Sequence, residues 1–273
     1  MSGTAMTTRN NRPLQLGIQS YTFNGQTYAQ ALDRAAGLGI RYMEIYPGQV
    51  LGGGLAGELS HDRDAATRGR VLEMAERKGI TLVSYGVVTP HTEEEWNRVF
   101  EFAKALGLRN VSSEPPLELL PLVDRLSRHY GVTVALHNHP DPSLYANPAT
   151  SREACKPFGP HLGICADTGH FARSGHDPVR SLAQLQGRLL MCHFKDVDQT
   201  SLAGKDVVWG SGVGKATGLI AELRRQDFEG VVLMEYESHG PDREEELQRC
   251  VDFFHRANQT PLAELEQGRL ANP

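Results

Sequence analysis

The chain has 273 residues and a formal net charge of −5, with 40% hydrophobic and 22% charged residues, the composition of an ordinary globular protein. The slight acidity, with both signs dispersed, gives no electrostatic reason to expect nucleic-acid binding, and no apolar run approaches the ~20 residues of a membrane span. We therefore expect neither nucleic-acid nor membrane partners, and a cytoplasmic location.

Short apolar runs alternate with helical patterns along most of the chain. Several helical patterns end in a glycine that an aliphatic run follows at once, as at Gly39, Gly79 and Gly131, which is typical of a helix C-cap before the next strand. The predicted strands are 14–20, 41–46, 80–88, 109–113, 132–136, 162–166, 189–193 and 230–235.

Eight strand–helix units within one domain's length predict a single (β/α)8 barrel of the TIM type. An open doubly wound sheet is the alternative, although the glycine-rich dinucleotide motif is missing after the first strand. We expect the barrel to span residues 13–257, with a disordered leader at 1–12 and a C-terminal tail at 258–273.

Four predicted strands end on side chains that bind divalent metal ions. The fifth ends at His137 and His139, the sixth at Asp167, the seventh at His193 and the eighth at Glu235. In a barrel the carboxyl ends of all strands open on one face, so these side chains should converge. Carboxylates and imidazoles together suit Mn, Mg, Co or Zn. We predict a divalent-metal site here, and either histidine could supply the ligand from the fifth strand.

The sequences Asp167-Thr-Gly-His170, His193-Phe-Lys195-Asp196 and Glu235-Tyr-Glu237 resemble the sugar phosphate isomerase/epimerase superfamily. These xylose isomerase-like barrels include ketose 3-epimerases, inosose dehydratases and apurinic endonuclease relatives. The resemblance covers residues 14–257 and places ligands on strands five to eight. The fifth strand departs from the pattern of the epimerases. They carry a glutamate there, which pairs with the glutamate of the eighth strand for proton transfer, whereas this chain has His137.

The resemblance implies a metal-dependent carbohydrate isomerase or epimerase that removes a proton next to a carbonyl through a metal-stabilised enediolate. The catalytic candidates are Glu235, His137 and Glu114, and the substrate-binding candidates are His170, Lys195, Glu44 and Trp209. A lyase or hydratase acting on a sugar or cyclitol at the same site is the first alternative, and a non-catalytic sugar-binding barrel is the second.

The expected partner is a small carbohydrate. An unphosphorylated one is slightly preferred, because arginine and lysine do not cluster at any predicted strand end. The exact substrate, the native metal and the oligomeric state stay open, with a homodimer as one candidate.

A glycine-rich segment, Gly210-Ser-Gly-Val-Gly214-Lys215, is similar to a phosphate-binding loop. Its spacing is one residue short of that motif, and Ala216 replaces the hydroxyl residue that the motif requires. We predict instead a turn into the following helix, with backbone N–H groups that could contact a substrate hydroxyl or phosphate.

Overall fold

The computed structural model describes residues 12–270, which form a closed barrel of parallel strands surrounded by helices. The strands in chain order are β1 (Gln15–Gln19), β2 (Tyr42–Ile45), β3 (Val50–Gly52), β4 (Leu55–Glu58), β5 (Thr81–Val88), β6 (Asn110–Ser113), β7 (Thr133–His137), β8 (Leu162–Asp167), β9 (Leu189–Phe194) and β10 (Val231–Met234). The barrel closes in the order β1-β10-β9-β8-β7-β6-β5-β2. All eight predicted strands are present, and the predicted TIM barrel is confirmed.

Helices follow the barrel strands and cover the outside of the sheet. They are α1 (Tyr28–Gly37), α2 (Ala65–Arg77), α3 (Glu93–Ala105), α4 (Leu120–Tyr130), α5 (Pro148–Cys155), α6 (Thr168–Arg173), α7 (Pro178–Gln184), α8 (Ala216–Arg225), α9 (Arg243–Gln259) and α10 (Leu262–Leu265). The main hydrophobic core lies between these helices and the outward face of the strands. Within residues 12–270, no helix is long and apolar enough to cross a membrane.

The glycine-rich loop after β2 contains a small antiparallel hairpin, β3–β4, that the sequence analysis did not predict. Gly53 and Gly54 turn the chain with φ angles of +57° and +86°, and positive φ at both central residues is what a two-residue type I′ hairpin requires. The hairpin buries Leu51 completely against the core. The Gly-Gly pair is therefore the sequence signal of this hairpin.

The end of the described chain also differs from the prediction. Residues 258–273 were expected to form a tail, but α9 continues to Gln259 and α10 follows at once. Leu265 of α10 is buried, and Leu262 packs against the main core, so burial of apolar surface holds this segment on the barrel. The predicted leader lies outside the described residues, apart from Arg12.

The loop between β9 and α8 is organised around a buried carboxylate. Asp196 accepts four backbone hydrogen bonds, from Val197 and Gly214 at one oxygen (3.0 and 2.8 Å) and from Gly210 and Gly212 at the other (2.8 and 3.1 Å). A Cβ atom on Gly212 would lie 2.5 Å from an Asp196 oxygen. The glycine-rich segment that is similar to a phosphate loop therefore donates its N–H groups to a carboxylate of the protein itself. The predicted contact of these groups with a substrate is not what the structure shows.

We predict that Asp196→Asn lowers the free energy of unfolding by about 3 kcal/mol, because the amide NH2 would face two backbone donors that then lose their acceptor. Asp198→Asn in the same loop is the matched control. Asp198 is exposed and accepts a single bond from Lys205 N at 2.8 Å, which the remaining amide oxygen can still accept. Urea unfolding of both variants measures the difference, and equal stability of the two would contradict this account of the loop.

Candidate active site

The polar cluster of the barrel lies directly above an apolar layer in the barrel interior. Six side chains form that layer: Val83, Ala135, Cys165, Met191, Val231 and Leu233. Because side chains alternate along a strand, the residue two positions further faces the same interior. Two positions after Ala135, Cys165, Met191 and Leu233 come, in the same order, His137, Asp167, His193 and Glu235. The strand register also pairs Asp167 with His193, so the four side chains meet at the carboxyl end of the barrel.

These four side chains each direct one buried atom at the others. The atoms are His137 Nε2, Asp167 Oδ2, His193 Nδ1 and Glu235 Oε2, which are buried and lack a hydrogen-bond partner of good geometry. The two carboxylate oxygens each contact the Lys195 ammonium at 3.0 Å. His137 Nε2 lies 3.7 Å from Asp167 Oδ2, and His193 Nδ1 lies 3.1 Å from Glu235 Oε2. One ligand atom from each residue lies within 4.8 Å of the others. Buried polar atoms are rarely left unpaired in proteins, so this convergence of two imidazoles and two carboxylates fits a divalent metal ion.

His137 is oriented by a carboxylate on its far side. Glu114 Oε1 lies 2.9 Å from His137 Nδ1, so Nδ1 donates a proton to this carboxylate and Nε2 faces the cluster. Glu114 also accepts hydrogen bonds from His139 N and Ser143 Oγ at 2.9 and 2.8 Å. Burial raises the pKa of Glu114, but its bonds to the two histidines outweigh that effect and hold the pKa well below its usual range. This placement puts Glu114 behind His137 as a partner that orients the ring, and its predicted catalytic role stays a prediction.

His139 lies beside the cluster rather than in it. Its Nδ1 contacts Glu114, and its side chain is 52% exposed. Its ring centroid lies 4.6 Å from that of His137 and 5.4 Å from that of His170. Of the two histidines on the fifth barrel strand, the geometry therefore places His137 among the four converging ligand atoms and leaves His139 at the side of the pocket.

His193 is oriented in the same way by Glu44. Its Nε2 lies 2.5 Å from Glu44 Oε2, and Ser112 Oγ donates to Glu44 Oε1 at 2.5 Å. Glu44 is fully buried, so the predicted contact with substrate is not available to it. Burial lowers the pKa of His193, but the neighbouring Cys165 thiol and the carboxylates around the ring raise it well above its usual value. The site therefore favours positive charge at this position.

Lys195 inserts an ammonium group between the carboxylates. Its Nζ lies 3.0 Å from Asp167 Oδ2, 3.0 Å from Glu235 Oε2 and 2.5 Å from Glu237 Oε1. Burial lowers the pKa of this lysine, but the carboxylates, with Asp167 first, raise it well above its usual value. Lys195 is 1% exposed and stays protonated, which holds the carboxylates in their ionised form.

The two carboxylate oxygens of Asp167 make different contacts. Oδ2 faces the cluster, whereas Oδ1 accepts a 2.8 Å bond from His170 N and caps helix α6. Burial lowers the pKa of His170 well below its usual value, and the nearby Lys195 contributes. Arg173, at the end of α6, contacts His170 Nδ1 at 3.1 Å. The short helix, which the sequence analysis did not predict, thus places a neutral histidine beside the cluster.

The cluster forms the base of a cavity of about 360 Å³, a volume suited to a small molecule. The cavity is lined by Gln19, Tyr21, Tyr46, Pro47, Gly86, Val87, His137, His139, His170, Glu235 and Glu237. Tyr21 and Tyr46 meet edge to face, with their ring centroids 5.1 Å apart. The two tyrosines form an apolar wall of the cavity, above the charged side chains at its base.

Trp209, predicted to bind substrate, lies elsewhere. It is 2% exposed and packs on Phe194 with ring centroids 4.5 Å apart. Phe194 follows His193 on β9 and so faces the helices, which is why Trp209 joins the core outside the barrel. The residues that sequence reasoning missed include Ser112 and Asp206, and also Gln19, Gly86 and Val87 of the cavity lining. Nothing in the pattern around Ser112 or Asp206 pointed to the site, because each contacts site residues that are distant in sequence.

Solved structures with similar folds span almost the whole chain. A structure of an uncharacterised protein from Parabacteroides distasonis is 32% identical, covers 89% of this chain and 98% of that chain, and has a TM-score of 0.72. The probable 3-DHS dehydratase AsbF of Bacillus anthracis is 16% identical over 89% of this chain and 99% of that chain, with a TM-score of 0.69. The IolI protein with a bound zinc atom is 18% identical, over 88% of this chain and 96% of that chain, with a TM-score of 0.67. The last two likenesses show a shared fold.

A curated relative is inosose dehydratase from Lacticaseibacillus casei, 27% identical over 111 residues, which are 40% of this chain. The match spans about a third (32%) of that relative's length. The model of the xylose isomerase-like TIM barrel family matches residues 117–257, which carry all four converging ligand residues. The chain therefore belongs to the xylose isomerase-like TIM barrel family, whose relatives include carbohydrate-modifying dehydratases and epimerases.

Proposed function

We propose that the protein is a divalent-metal-dependent dehydratase that removes a proton next to the carbonyl of a small, uncharged keto-sugar or cyclitol and expels water. The observation that carries this proposal is the convergence of four buried ligand atoms, two imidazole nitrogens and two carboxylate oxygens, at the base of a cavity of small-molecule size. The matched curated relative, named inosose dehydratase, supports the same class of reaction.

The metal would be held by His137, Asp167, His193 and Glu235. Imidazole ligands suit zinc and cobalt, and carboxylates suit manganese and magnesium, so this mixed set favours Mn, Co or Zn. A bound divalent ion would act as a Lewis acid on the substrate carbonyl. The carboxylates behind both histidines fix the ring atom that each offers, as in other metal sites where such partners orient the ligand.

Glu235 is the proposed base. It lines the cavity, and its Oε2 atom faces the cluster, which leaves its second oxygen to take the proton. Burial raises the pKa of Glu235, but Lys195 and His193 lower it below its usual range, so the carboxylate is ionised before substrate binds. Lys195 Nζ lies 3.0 Å from the same carboxylate and keeps it ionised, and Glu235, once it has taken the substrate proton, would return it to the departing hydroxide to release water.

The residue at the end of the fifth barrel strand, His137, favours dehydration over epimerisation. Epimerisation needs two groups that exchange protons with opposite faces of one carbon, whereas elimination needs one base and one acid. His137 occupies the strand position that the resemblance assigns to a second glutamate. Glu114 holds its Nδ1 atom, and its Nε2 atom faces the metal cluster. This residue is therefore used as a ligand, and Glu235 remains as the carboxylate that reaches substrate from the cluster.

The charge of the site favours an uncharged substrate. Five carboxylates surround the cluster, namely Glu44, Glu114, Asp167, Glu235 and Glu237. Lys195 and a divalent ion would together still leave two negative charges in excess. Within residues 12–270 no arginine or lysine lines the cavity. A phosphate or carboxylate group on the substrate would therefore be repelled.

We predict that the wild-type protein, dialysed against Mn or Zn, retains about one divalent ion, and that Asp167→Ala, His193→Ala and His137→Ala each bind it at least tenfold more weakly. His139→Ala is the matched control and should retain the ion, because His139 lies outside the converging set. Elemental mass spectrometry measures the content. Loss of metal in the control together with retention in His137→Ala would overturn the ligand assignment.

We predict that the metal-loaded protein converts inosose in D2O to a dehydrated dicarbonyl product, seen by its ultraviolet absorbance and by mass spectrometry. Glu235→Gln should lower the rate at least 100-fold, because a neutral amide cannot take the proton. Metal content is measured on the same sample to separate loss of the base from loss of the ion. Deuterium incorporation next to the carbonyl without loss of water would instead indicate an epimerase. No exchange with inosose or neutral ketohexoses would refute proton abstraction.

We predict that the metal-loaded protein binds myo-inositol at least tenfold more tightly than myo-inositol 1-phosphate, because the excess carboxylates repel the phosphate. Glu237→Gln should narrow this ratio by removing one negative charge that borders the cavity. Isothermal titration calorimetry with both compounds gives the ratio. Tighter binding of the phosphorylated compound by the wild type would show that the site is built for an anion.

A further inference from the structure

We propose that Asn138 is a positioning residue whose side-chain amide holds the backbone of Asp167, and thereby fixes the ligands of the fifth and sixth barrel strands, His137 and Asp167, relative to each other. The hold on Asp167 follows from contacts within the chain. Its consequence for metal binding rests on the proposed function, which assigns both residues as ligands.

The side chain of Asn138 makes two hydrogen bonds to the same residue. Its Oδ1 accepts from Asp167 N at 2.8 Å, and its Nδ2 donates to Asp167 O at 3.0 Å. A backbone N–H can only donate and a backbone C=O can only accept, so these two contacts fix the orientation of the amide. Asn138 is 1% exposed and Asp167 is fully buried, so water does not compete for either bond.

The Asn138 amide continues the ladder between β7 and β8 beyond the end of β7. Strand β7 ends at His137, which pairs with Cys165, whereas β8 runs on to Asp167. The backbone after β7 turns toward β6, because the N–H of His139 donates to the carboxylate that follows that strand. Buried backbone groups are rarely left without a partner. The amide therefore supplies to Asp167 the pair of bonds that a longer β7 would supply from its backbone.

This contact joins two of the four converging ligands. Asn138 directly follows His137 in the chain, and its side chain holds the backbone of Asp167. The Asp167 Oδ1 atom accepts a 2.8 Å bond from His170 N, so the backbone and one carboxylate oxygen of Asp167 are both fixed. The other oxygen, Oδ2, then lies 3.7 Å from His137 Nε2. Ligands held at their final positions bind more tightly, because less freedom is lost when the ion arrives.

A second amide with the same pair of bonds lies at the opposite end of the barrel. Asn258, in the last turn of α9, accepts from Leu14 N at its Oδ1 (2.9 Å) and donates from its Nδ2 to Leu14 O (2.8 Å). Leu14 directly precedes β1, so this contact lies at the amino ends of the strands, whereas the ligands lie at the carboxyl ends. Asn258→Leu therefore removes the same two bonds away from the cluster and is the matched control.

Amide hydrogen exchange in the metal-free protein, followed by NMR of 15N-labelled samples, tests the hold on Asp167. In Asn138→Leu the Asp167 amide should exchange faster by about tenfold or more, because its acceptor is gone while leucine fills a similar volume. Asn138→Ala repeats the test with a smaller side chain. Asn258→Leu should leave the exchange of Asp167 unchanged and accelerate that of Leu14. Unchanged exchange at Asp167 in a folded Asn138 variant would overturn the proposal.

Metal binding is a separate readout, measured as the dissociation constant for zinc in competition with a chromophoric chelator. Asn138→Leu should weaken zinc binding by about 10- to 100-fold, whereas Asn258→Leu should bind zinc as the wild type does. Unchanged affinity in Asn138→Leu, or an equal loss in both variants, would overturn the link between Asn138 and the ligands. A wild type that binds no divalent ion, together with fast exchange of Asp167 in Asn138→Leu, would instead refute the proposed function and leave the hold on Asp167 in place.

Discussion

The site depends on a single constraint, the alternation of side chains on strands that close into a barrel. Ala135, Cys165 and Met191 fill the interior, and the residues two positions later on their strands are His137, Asp167 and His193. The apolar layer lies directly below these polar side chains and keeps water away from that side of them. The two imidazole nitrogens above it, His137 Nε2 and His193 Nδ1, have no hydrogen-bond partner of good geometry. A buried polar atom without a partner costs about 1–3 kcal/mol, which a bound ion would recover.

Orientation of the ligands is a second consequence of closure. Glu44 on β2 reaches His193 on β9, and Glu114, just after β6, reaches His137 on β7. Each carboxylate binds one ring nitrogen on the far side of its histidine, so the other ring nitrogen of each faces inward, where a bound ion would replace any proton on it. These partners are separated by 149 and 23 residues along the chain. Only the closed cylinder brings the first pair across the interior, so the ring geometry is a property of the fold rather than of a local motif.

Prediction from sequence succeeded where the signal was periodic. All eight barrel strands follow apolar runs, and Asp167, His193 and Glu235 were found because they follow such runs directly. Prediction was weaker where the outcome depends on contacts between distant residues. Trp209 and Glu44 have residue types that suit sugar binding, yet one packs on Phe194 and the other is enclosed by His193 and Ser112. Side-chain type gave no information on which face of the sheet each residue would occupy.

The glycine-rich loop shows how the supporting structure reaches the chemistry. Asp196 directly follows Lys195, and its carboxylate binds the N–H groups of the loop from Gly210 to Gly214. That folds the loop back on the barrel rim and brings Asp206 to Arg173 and to Glu237 N. One buried carboxylate outside the metal cluster therefore sets the position of the arginine that faces His170. A change at Asp196 would act on the site through this chain of contacts, without touching the substrate or the metal.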